Sequence, residues 1–167
     1  LTMLDFDPSY TYFTLISHAY GDPGTAGNGA SSFPTISADG KLIAFQSKAD
    51  NLVAPGGDTN GKQDIFLKDR NTGTTQLVSI SSAGEQNDKD SFRPAMSGDG
   101  ALIAFETTGR LAADDTNDAS EFNSNGNDIY IRKPSISLTW RVSLTADGRQ
   151  GVDYQLQQYA ALYWTGQ

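Results

Sequence analysis

The chain has 167 residues, enough for one ordinary domain with a sizeable core and too short to make two the default. Its 20 acidic side chains against 12 basic ones leave a formal charge of −8, which disfavours nucleic-acid phosphates and anionic membranes as partners and favours a cation. Cysteine is absent, which excludes disulfides, thiolate metal sites and a cysteine nucleophile, while 17 glycines amid many Asn, Asp, Ser and Thr point to short strands joined by tight turns.

The first residues, LTMLDFDPSY, have no basic segment leading into an apolar one, and no apolar run is long enough to span a bilayer. Membrane insertion is therefore not expected. Thr14-Leu15-Ile16-Ser17 matches Gln76-Leu77-Val78-Ser79, and Asp7 matches Asp69, so the chain is expected to open halfway through a repeated unit. A Gly-rich loop over 21–29 follows.

The first full unit starts with a strand over 32–37 and turns at Asp39-Gly40 into a second strand, Leu42 to Ser47. After a loop over 48–57 and the polar stretch Asp58-Thr59-Asn60-Gly61 come two more strands, 64–69 and 74–79, joined by a turn at Asn71-Thr72-Gly73. The stretch SADGKLIAF at 37–45 returns as SGDGALIAF at 97–105, with 60 residues between Asp39 and Asp99. A second unit accordingly has strands over 92–97, 102–107, 128–132 and 138–143. Asp64 and Asp128 stand 64 residues apart but Asn60 and Asn117 only 57, which places an insertion between Asn117 and Asp128. Insertions of this kind gather on the binding face of repeat proteins. The tail carries Tyr154, Tyr159, Tyr163 and Trp164 where another unit would place Pro and the Ser-x-Asp-Gly corner.

Four short antiparallel strands per unit, each unit needing neighbours to bury its two faces, predict an all-β fold of β-propeller type. The expected division is a partial blade over 1–31, blades over 32–91 and 92–148, and the start of a partial or degenerate blade over 149–167. A ring needs about four to eight blades, so the chain is expected to be a segment of a larger propeller, with an oligomeric ring as the alternative.

The series S-x-D-G-x-x-I-A-F, D-T-N, D-I-[FY], a turn and V-S, running from Asp7 to about Gly148, resembles the TolB-like propeller repeat, a relative of WD repeats. This resemblance implies a secreted, periplasmic or cell-envelope location and a cavity or loop face that binds something, most often protein. It does not imply a catalyst.

Asp58, Asn60 and Asp64 form the sharpest local signal, because alternating Asp and Asn in a Gly-containing loop can turn several oxygens toward a hard cation such as calcium. The same side chains also cap turns through backbone amides. Asp115, Asn117 and Asp128 repeat the set with altered spacing. Asp39 and Asp99 belong to structural corners. His18 is the only histidine, with no serine motif near it, and a G-x-S-x-G elbow is missing. Tyr159, Tyr163 and Trp164 offer ring faces on which a glycan could stack. The expected function is a non-catalytic scaffold for protein binding or self-assembly, stiffened by calcium. The alternatives are an accessory domain of a larger hydrolase and a carbohydrate-binding module.

Overall fold

The computed structural model describes residues 14–113, 115 and 127–144. It contains two four-stranded antiparallel sheets. The first, sheet A, runs in the order β1 (Ser31–Ile36), β2 (Leu42–Ser47), β3 (Asp64–Asp69) and β4 (Thr75–Leu77). The second, sheet B, repeats it as β5 (Ser91–Met96), β6 (Ile103–Thr107), β7 (Asp128–Lys133) and β8 (Leu138–Arg141), with a 3-10 turn at Pro134–Ile136 between the last two strands. Each sheet is a meander of neighbours in sequence; short turns set the register of its first and last strand pairs, while the central pairs are joined by longer connections, 48–63 and 108–127.

Strand positions follow the sequence expectation within a few residues. Although residues 14–17 match 76–79 of the expected strand 74–79, they form no strand themselves, and the neighbouring His18 makes an isolated bridge to Ala26. The bridge between Ile80 and Gln86 closes the matching loop in the next unit. Residues 14–30 nevertheless lie against sheet A, with Ile16 packed beside Phe45, Leu52 and Phe66.

Alternation of side chains across each strand gives each sheet two unlike faces. In sheet A one cross-strand row is Phe45, Phe66 and Leu77, and the opposite face holds Thr35, Ala44, Leu67 and Gln76. In sheet B the matching rows are Phe105, Tyr130 and Arg141 on one side, and Ala95, Ala104, Ile131 and Trp140 on the other. The main core lies between the sheets, where Ala44, Ile65, Leu67 and Val78 meet Ile103, Phe105, Leu111 and Tyr130. The aromatic row of sheet B thus packs on the alanine row of sheet A. The equivalent alanine row of sheet B lines an open groove of about 550 Å³ with Ala95, Leu102, Ala104 and Ile131 in its wall.

Both repeated corners sit at this junction. Asp39 accepts hydrogen bonds from the Ser37 hydroxyl (2.7 Å) and the Lys41 amide (3.1 Å), and Asp99 does the same with Ser97 (2.6 Å) and Ala101 (3.0 Å). The Ala38 amide donates to the Gly98 carbonyl at 2.7 Å, joining one corner to the other.

Candidate functional site

Asp64 and Asp128 open the third strand of their sheets, opposite Ser47 and Thr107, and both are buried. A charged group withdrawn from water needs donors around it, and each sheet supplies a serine from the V-S pair that follows its fourth strand. The Ser79 hydroxyl donates to Asp64 Oδ1 at 2.5 Å and accepts from the Ile65 amide at 3.0 Å. The Ser143 hydroxyl donates to Asp128 and accepts from the Ile129 amide at 3.2 Å. Both serines fall within the expected strands 74–79 and 138–143. Their recurrence 15 places after each aspartate was the available signal.

Around Asp64, Asn60 serves as an orienting group. Its Nδ2 donates to Asp64 Oδ2 at 2.8 Å and to the Asn87 carbonyl at 2.9 Å, while its Oδ1 accepts from the Lys62 amide at 2.8 Å. Asp58 is 7% exposed, and its Oδ1 is buried with no hydrogen-bond partner. Burial, with the Asp64 charge next in weight, pushes the Asp58 carboxyl up to about 6. Burial also raises Asp64, against the pull of the Ser79 and Asn60 hydrogen bonds. The structure therefore brings Asp58, Asn60 and Asp64 into one neighbourhood, as the spacing predicts.

In sheet B the corresponding carboxylates have an internal counter-charge. Asp115 is 3% exposed, and its Oδ1 lies 3.2 Å from Arg141 Nη1, which is also 3.7 Å from Asp128 Oδ2. The Tyr130 hydroxyl donates to Asp115 Oδ2 at 2.5 Å and accepts from the Leu111 amide at 3.4 Å. Burial and this carboxylate partner raise the Tyr130 hydroxyl, so it stays a donor across the physiological range. Sequence reading missed both Arg141 and Tyr130, because each is remote from the D-T-N stretch and reaches it only through strand register.

Asn117, Tyr159, Tyr163 and Trp164 lie outside the described residues, as does most of the insertion before Asp128. Among the described residues, no three His, Cys, Asp or Glu side chains converge as a metal-ligating group. His18 is tied into packing: its Nδ1 donates to the Ala19 carbonyl (2.8 Å), leaving Nε2 to accept from Lys68 Nζ at 2.6 Å. Lys68, its pKa lowered by burial, also donates to the Gly73 carbonyl at 2.6 Å. Comparison with models of known protein families and with curated proteins finds no match.

Proposed function

We propose that the chain is a segment of a β-propeller acting as a non-catalytic, extracytoplasmic scaffold, with loops that recognise a protein partner and end faces that stack on further sheets of the same kind. One observation supports this reading above the others. Ala44 and Leu67, in the middle of one face of sheet A, are buried against Phe105 and Tyr130 of sheet B, while their equivalents in sheet B, Ala104 and Ile131, line the 550 Å³ groove together with Ala95. An interface already used once within the chain is thus offered a second time. Like units joined head to tail in this way either close a ring or extend the stack.

The edges of the sheets support stacking by faces rather than by strand addition. Pro34 and Pro94 interrupt the first strands, each within a bulge, between Ser32 and Thr35 in the largely exposed β1 and between Phe92 and Ala95 in β5, where Pro94 is buried. Such edges blunt pairing with a foreign strand.

Sedimentation or light scattering over a concentration series tests this reading, with the Ile131→Arg variant as control. Association of the wild type that the variant loses, at nearly unchanged melting temperature, is the expected result. A strictly monomeric wild type that pairs neither with itself nor with a longer form of the same protein would refute it.

A further inference from the structure

The two sheets solve the same electrostatic problem unequally. Each buries a carboxylate from the D-T-N stretch, Asp58 in sheet A and Asp115 in sheet B, within electrostatic reach of the aspartate that opens the third strand. Sheet B places the Arg141 guanidinium between its pair and adds the Tyr130 hydroxyl to Asp115. Strand register identifies the counterparts in sheet A: Tyr130 faces Arg141 across β7 and β8, just as Phe66 faces Leu77 across β3 and β4. Sheet A therefore has leucine where sheet B has a cation, and phenylalanine where sheet B has a hydroxyl. The orphaned Oδ1 of Asp58 follows from these two replacements.

We propose that a hard metal cation of the calcium class binds between Asp58 and Asp64, in the role that the Arg141 guanidinium fills between Asp115 and Asp128. A buried carboxylate beside a second carboxylate, with no donor on one oxygen, is costly for the protein alone. A cation removes both the repulsion and the unmet acceptor. Two carboxylates supply part of its shell, and backbone carbonyls and water complete the oxygen set that calcium takes. Asn60 acts as a positioning residue, holding Asp64 through Nδ2. So few charged ligands correspond to the weak end of protein calcium sites, a Kd of about 10⁻⁴–10⁻³ M, as in extracellular modules. The site is confined to sheet A, since sheet B carries its own cation.

The test is the thermal midpoint of metal-stripped protein with and without calcium chloride, against potassium chloride at equal ionic strength. At about 100 times Kd, calcium is expected to raise the wild-type midpoint by about 5–10 °C. Asp58→Asn loses that rise. A second variant, Leu77→Arg with Phe66→Tyr, rebuilds the sheet B arrangement and is expected to melt at the same temperature with or without calcium. A wild-type midpoint that calcium moves no more than potassium does overturns the proposal. So does a full calcium shift surviving in Asp58→Asn or in the rebuilt variant. The outcome is independent of whether the chain associates through its faces.

Discussion

Single residues in this protein act mainly by satisfying buried polar atoms, and the serines of the V-S pairs show it most directly. Ser79→Ala removes the hydroxyl donor from Asp64 Oδ1 and the acceptor from the Ile65 amide. The expected loss is about 1–3 kcal/mol, read from urea midpoints at constant slope. The corner aspartates give a pH signature instead. Hydrogen bonds from Lys41 and Ser37 hold Asp39 well below the ordinary carboxylate value of 3.8, and those from Ser97 and Ala101 lower Asp99. A carboxyl whose pKa is lower in the folded state contributes stability that is complete above the unfolded value and is lost as pH falls toward the folded one. Stability is therefore expected to drop below about pH 4, and less steeply in Asp39→Asn and Asp99→Asn, as checked by melting across an acid series.

At the scale of elements, the repeated corner has two jobs that a glycine comparison separates. Gly40 and Gly100 share a left-handed backbone, at φ of 70° and 72°. A side chain in that region costs roughly 1–2 kcal/mol wherever it sits. A Cβ on Gly100 would in addition come within 2.5 Å of Leu42 Cδ1 across the sheet junction, whereas at Gly40 the nearest atom is Arg70 Nη1 at 3.8 Å. Gly100→Ala is therefore expected to destabilise more than Gly40→Ala, and the difference between their denaturation midpoints measures the junction. The bulges are a feature that sequence reading left out, although Pro34 and Pro94 announced them: proline cannot donate to a ladder, so pairing must be interrupted there. Phe33 and Arg93, just before these prolines, take positive φ as the strand bends.

For the whole molecule, the decisive fact is that one core belongs to both sheets. Ile103 is fully buried in a cluster that draws on Ala44, Ile65, Leu67 and Val78 from the sheet A side. Ile103→Ala is expected to cost about 2–5 kcal/mol and to lower hydrogen-exchange protection in both sheets together. Loss confined to sheet B would mean that the sheets unfold separately. On the open side of sheet B, the Ala104-Ile131 row is the kind of surface that the chain buries elsewhere, at Ala44 and Leu67.

The local layer is legible along the chain: all-β character, the strand positions, the two Asp-Gly corners and the nearness of Asp58, Asn60 and Asp64. These depend on alternation, turn chemistry and contacts a few residues apart, all of which can be read along the chain. What surrounds those aspartates is set by the packed sheets. Arg141 and Tyr130 reach Asp115 from 26 and 15 residues away through the register of β7 and β8, and Ser79 reaches Asp64 across 15. Register joins residues that no spacing rule links, and it is what distinguishes a carboxylate neutralised by arginine from one left for a cation.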